Sequence, residues 1–239
     1  MKSKLSKKQE SIKEFNAKFK DIKADEAIKA LKEFATGSKV DQTLELAVQL
    51  GIDMKMSDQQ VRTSAALPAG TGKKVRIAVI AKGEKVTEAK DAGAEFVGED
   101  IIKKIEDGWT DFDVLVATPD TMAQVGKLGR VLGPKGLMPN PKDGTVTMDV
   151  AKAVKELQAG KVGIRAEKTG SVVHLPIGKL SFSDEDLLKN FGAAITEIQR
   201  AKPSAAKGTY MKSVYLSTTQ GPGVRIASDS LSAVVSAAA

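Results

Sequence analysis

At 239 residues, 41% of them hydrophobic and none cysteine, the chain suits one large domain or two ordinary ones, and it excludes disulfides and thiolate metal sites. Aromatic residues are only 4%, too few for a protein that works mainly by stacking bases on rings. The net charge of +7 sits at the two ends: residues 1–68 hold 13 Lys/Arg against 10 Asp/Glu, residues 161–239 hold 10 against 6, and residues 69–160 hold 14 of each.

The opening MKSKLSKKQE is basic with no apolar segment behind it, so no secretory signal is expected, and no stretch is long enough to span a membrane. Residues 4–20 predict a basic helix with Leu5, Ile12, Phe15 and Phe19 on a rough stripe. A second helix is expected over 25–35, capped by Asp25, with Ile28, Leu31 and Phe34 on one face. The period then changes to two: Leu44, Leu46, Val48 and Leu50 alternate with Glu45, Ala47 and Gln49 as in a half-buried strand. LPAGTGKK (67–74) is a hinge or linker.

Beyond it, apolar strands at 75–81, 94–98 and 112–119 alternate with helices at 84–92, 99–107 and from about 120, closed by a helix at 149–159. That order predicts a parallel sheet covered on both faces. At 161 the pattern reverts. Residues 161–167 and 171–177 are expected to form a hairpin around Lys168, Thr169 and Gly170, Ser183 to cap a helix ending before Pro203, and 212–218 to pair with 223–226. The tail ASDSLSAVVSAAA is of low complexity. The fold class is therefore α/β and α+β in two domains. A discontinuous α+β domain comes from 1–68 plus 161–239, and a Rossmann-like parallel-sheet domain is inserted at 69–160.

The motifs supply little catalytic material. One histidine, His174, and no cysteine leave serine triads and His-rich metal sites without parts, and no cofactor is expected. GTGKK (70–74) precedes a strand, so it lacks the helix N-terminus a phosphate loop needs. Trp109 is expected to anchor packing. VGKLGRVLGPKGLMPNPKDGTV (125–146) is rich in Gly and Pro, which rules out an ordinary helix or a central strand, and it carries Lys127, Arg130, Lys135 and Lys142. Local physics leaves two readings of it: a corner capping one end of the sheet, or an RNA-touching loop. In the end segments Lys39, Arg62, Arg165, Lys168, Lys179, Lys207, Lys212 and Arg225, with the turns KTG (168–170) and STTQGPG (217–223), offer charge, hydroxyls and backbone amides to ribose and phosphate if they converge.

KLGRVLGPKGLMPNPKDGTV resembles the signature of the L-one family of large-subunit ribosomal proteins, and the likeness extends through LGIDMKMSDQQVR (50–62), GWTDFDVLVATPDTM (108–122) and AKPSAAKGTYMKSVYLSTTQGPGVRI (201–226). The resemblance implies a cytoplasmic, ribosomal, non-enzymatic protein. Its discontinuous domain would bind large-subunit ribosomal RNA at the mobile stalk, and the complex would assist release of exit-site transfer RNA. It would be a monomer within the ribosome and would repress its own operon messenger RNA. The RNA-contacting positions carried over from the family are Lys39, Val40, Thr43, Thr219, Gln220 and Gly221, with Val40 where phenylalanine is usual, Gln220 where methionine is usual, and Thr63 where glycine is common. Lys127, Arg130, Lys135 and Lys142 become an accessory RNA or ribosome contact.

Overall fold

A computed structural model describes residues 6–167, 169–228, 230 and 231. Leu5, Lys168 and most of the low-complexity tail lie outside the described residues.

Helix α1 (Lys7–Lys18) opens with a capping box, the Ser6 hydroxyl accepting from the Gln9 amide while the Gln9 side chain accepts from the Ser6 amide. Its Phe15 meets Phe19 at 4.7 Å and Phe34 at 5.2 Å between ring centroids. Helix α2 (Ala24–Ala35) buries Ala27, Ile28 and Leu31. Its cap position is Lys23, without a side-chain bond; Asp25 falls inside the first turn and complements the helix dipole instead of capping. Strand β1 (Thr43–Leu50) alternates as its sequence requires, with Leu44, Leu46, Val48 and Leu50 buried, and β2 (Arg62–Ala66) follows.

The next stretch gives β3 (Ile77–Ile80), α3 (Glu84–Asp91), β4 (Phe96–Val97), α4 (Asp100–Glu106), β5 (Val114–Ala117), α5 (Met122–Val125), α6 (Gly129–Lys135) and α7 (Val150–Gln158). The expectation that 125–146 excludes a helix is wrong. Short 3-10 turns join α5 to α6, and α6 is helical with Pro134 inside it. Pro134 lies in the last turn, so its missing N–H costs one terminal bond, and burial of Val125, Leu128 and Leu132 outweighs the Gly/Pro composition. This run packs on a face of the sheet instead of capping its end. Its core joins Ile80, Leu115, Ile101 and Ile105.

The chain continues through β6 (Lys161–Arg165), β7 (Val172–Lys179), α8 (Asp184–Arg200), β8 (Met211–Thr218) and β9 (Gly223–Arg225). Ser183 caps α8 by accepting from the Asp186 amide, and the helix buries Leu187, Phe191, Ile195 and Ile198. The expected 161–177 hairpin forms only at its turn end: β6 pairs with β2 and β7 with β1, while among the described residues Ala166 bridges Val173 and the Glu167 amide donates to the Val172 carbonyl.

The chain divides into two compact units, Met1–Gly72 with Ile164–Ala239, and Lys73–Gly163. The first has an antiparallel sheet in the order β7-β1-β8-β9, with α2 and α8 packed on its inner face, and the small β2–β6 pair. The second has a parallel sheet in the order β4-β3-β5, extended by a bridge from Ala117 to Val146. Helices α4 to α6 cover one face of it and α3 and α7 the other. Trp109 packs against Phe96 and Phe112 there, at 4.7 and 5.4 Å between centroids. The first unit runs on to Gly72 because fully buried Asn190 of α8 holds the linker: its Oδ1 accepts from the Ala69 amide at 2.9 Å, and its Nδ2 donates to the carbonyls of Gly70 and Ile177.

Candidate nucleic-acid interface

The period of two that buries one face of β1, β7 and β8 leaves the other face open. Register places Glu45 between Pro176 and Ser217, Ala47 between His174 and Tyr215, and Arg225 beside Tyr215. Glu45, His174, Pro176, Tyr215 and Arg225 are exposed, as an antiparallel sheet covered on one side permits. Alternation in β1 marks Glu45 as outward in the sequence itself, and the same period of two in β7 and β8 puts Pro176 and Tyr215 on that face. His174 lies on an edge strand, 3.9 Å from the Glu167 carboxylate.

At one end of this face β1 begins as β8 ends, which joins residues far apart in sequence. The Thr43 amide donates to the Thr219 hydroxyl at 3.0 Å, and the Thr219 amide donates to the Thr43 carbonyl at 3.2 Å. The Gln220 amide donates to Oε1 of buried Gln42 at 3.1 Å, and the Gly221 amide closes the turn onto the Thr218 carbonyl. Gly221 is required by close approach: a Cβ there would collide with Oγ1 of buried Thr218 and come within 3.6 Å of Phe34. Val40 is 61% exposed, in a lead-in shaped by the Ser38 hydroxyl, which donates to the Val40 carbonyl and accepts from its amide. Asp41 holds Ser181 through both carboxylate oxygens. Lys39, Val40, Thr43, Thr219, Gln220 and Gly221 thus share one sheet end.

Arg165 does not join them. It precedes Ala166, which bridges Val173, and Val173 pairs with Val48, so Arg165 is set along the sheet from the Thr43 end. The local sequence gave no sign of this, because it depends on β6 pairing with β2. Lys168 is outside the described residues. In the second unit Lys127, Arg130, Lys135 and Lys142 are all exposed. Lys127 and Arg130 are three apart on one helical run and share a side, whereas Lys135 lies roughly 140° round the helix from Arg130 and donates to the Thr110 hydroxyl.

Lys73, by hydrogen bonding, and Arg76 hold the Asp113 carboxyl below the usual carboxylate range against the opposing effect of burial. Lys161 does the same for Glu156. Among the described residues no group of three or more His, Asp or Glu is placed to hold a metal, and no helix is long and apolar enough to cross a membrane.

Fold and surface together define a class: a mixed α/β and α+β protein with an open antiparallel sheet face whose groups are suited to binding. Residues 31–222 match the sequence profile of the Ribosomal protein L1p/L10e family, and the chain belongs to that family. It is accordingly a structural constituent of the large ribosomal subunit, binds large-subunit ribosomal RNA, is not an enzyme, and resides in the ribosome in the cytoplasm.

Proposed function

We propose that the discontinuous unit is the RNA-binding domain and that the joined ends of β1 and β8 form its centre. Lys39, Val40, Thr43, Thr219, Gln220 and Gly221 would contact ribosomal RNA at the base of the mobile stalk. The observation that carries this reading is the reciprocal Thr43–Thr219 hydrogen bonding, which fixes two hydroxyls and a glycine turn side by side on an open sheet. Fixed hydroxyls and a turn without a side chain suit close approach to ribose and phosphate. Arg165 and Lys168 would serve the far end of an RNA running along the sheet. The inserted unit would add an accessory contact through Lys127 and Arg130, with Lys135 and Lys142 at its margins.

Two further roles belong to the same proposal. A messenger leader that folds like the stalk base would compete for it, giving repression of the chain's own operon. A stalk carrying this protein would assist departure of exit-site transfer RNA, with the protein acting as a monomer in the ribosome. The test is competition: the messenger leader should displace a stalk-base fragment from the full chain, and Thr219→Val should weaken both RNAs together. Loss of one without the other would separate the two sites and refute a shared surface.

A further inference from the structure

We infer that Lys179 is a phosphate-binding residue of this interface, acting with the hydroxyls of Thr43 and Thr219 on a single phosphodiester oxygen. The inference rests on the reading of the sheet end as the RNA site. It starts from an irregularity in β7. Val173, Leu175 and Ile177 are buried on the inner face, and strict alternation would turn Lys179 inward after them. Pairing with β1 shifts between Leu44 and Glu45, so that Glu45 faces Pro176 while Thr43 faces Lys179. The bulge carries Lys179 to the outer face, directly across from Thr43.

The side chain is also held in place. A Cβ on Gly72 would lie 2.9 Å from the Lys179 Cγ and 3.0 Å from the Phe182 ring, so the lysine stem occupies space that only glycine leaves there. Phe182 in turn has its carbonyl held by the Lys32 ammonium, which also pairs with Asp184. A stem fixed in this way loses less side-chain entropy on binding.

The hydrogen-bond polarity then selects the ligand. The Lys179 ammonium donates to the Thr43 hydroxyl at 2.9 Å and to the Asp41 carbonyl at 3.3 Å, which leaves its third proton uncommitted. Thr43 Oγ1 accepts from the lysine, so its own proton points elsewhere. Thr219 Oγ1 accepts from the Thr43 amide, and its proton has only a 3.4 Å contact to a carbonyl that already takes the Thr219 amide. The cluster therefore offers donors and a positive charge. Base edges and 2′-hydroxyls carry both donors and acceptors, whereas a phosphate oxygen only accepts. The nearby acids limit where the phosphate sits: Asp41 spends its carboxylate on Ser181, and exposed Glu45 stands one row further along the face.

The experiment compares the full-length wild type with Lys179→Met and Lys179→Arg. Each is titrated with a stalk-base ribosomal RNA fragment and with a scrambled RNA of equal length at several salt concentrations. One lost phosphate contact should lower the slope of log affinity against log salt by about 0.7–0.9 and weaken binding roughly tenfold or more, with the slope restored in Lys179→Arg. Lys179→Gln replaces Lys179→Met if thermal denaturation shows the latter unfolded. A neutral variant that keeps the wild-type slope, whatever its affinity, overturns the inference and leaves Lys179 a brace for Thr43. A wild type that binds both RNAs equally overturns the underlying reading, and the inference with it.

Discussion

Replacing Thr219 with valine removes one hydroxyl and preserves side-chain shape. In the free protein that hydroxyl accepts the Thr43 amide at 3.0 Å at an exposed position. Water can take over the amide there, so the folding cost should be only about 0.5–1 kcal/mol. If this sheet end contacts RNA as proposed, water is excluded in the complex, and the change leaves both the Thr43 amide and the RNA acceptor without a partner. The expected loss of binding is about 1–3 kcal/mol, or roughly five- to 150-fold in affinity. Thr219→Ser keeps the hydroxyl and should stay within about threefold of wild type. Equilibrium titration of labelled stalk-base RNA, with urea unfolding of each variant in parallel, reads both quantities. If Thr219→Val bound RNA as well as Thr219→Ser, the hydroxyl would have no part in recognition, and the turn would matter for shape alone.

Asn190→Leu should destabilise the discontinuous unit by about 3 kcal/mol, about one for each of its three hydrogen bonds, lowering its calorimetric midpoint by about 6–12 °C; a change under about 0.5 kcal/mol would refute the role of Asn190 in holding the linker. Asp113 is held below its usual 3.8, so its contribution is fully present above that value and is lost as pH falls through the lower native one. Asp113→Asn should therefore flatten the acid side of the inserted unit's stability profile, followed by the fluorescence of Trp109, and an unchanged profile would contradict this. Burial pushes the phenol of Tyr210 from 10.0 up to about 12, so stability that is present below pH 10 should decline as pH rises toward 12. Among the described residues the Tyr210 hydroxyl has no hydrogen-bond partner, so Tyr210→Phe should remove that decline and leave stability at neutral pH unchanged or raised by up to about 1 kcal/mol; a loss larger than that would mean the hydroxyl is bonded.

What could be read from the sequence was what local physics decides. Ser183 followed by an acidic turn and Leu187, Phe191, Ile195 and Ile198 specified α8, cap included. Alternation at Leu44 to Leu50 specified which face of β1 is buried. Apart from the cap of α2, set at Lys23 and not Asp25, the failures share a cause: each depends on a partner distant in the chain. The Gly/Pro content of 129–135 argued for a loop, but burial of Leu132 against the sheet made it a helix. Residues 161–167 had the composition of a hairpin arm, but β2 captured β6, which carried Arg165 away from Thr43. Thr43, Thr219, Gln220 and Gly221 were named through the family resemblance; nothing local shows that 43 and 219 touch. Lys179 was legible only as one of several cations in the end segments that could converge on phosphate; its orientation was not, because a bulge sets it and a bulge exists only in a strand pair.

The central claim is that the joined ends of β1 and β8 recognise a particular RNA shape. The most direct measurement is a competition titration of the full chain between a stalk-base ribosomal RNA fragment and a scrambled RNA of equal length, carried from low to high salt. The account predicts a preference for the stalk fragment that persists as salt rises, since fixed hydroxyls and a shaped turn do not depend on screening alone. Equal binding of the two RNAs, vanishing together as salt rises, would contradict it and leave only the general attraction of the chain's +7 charge.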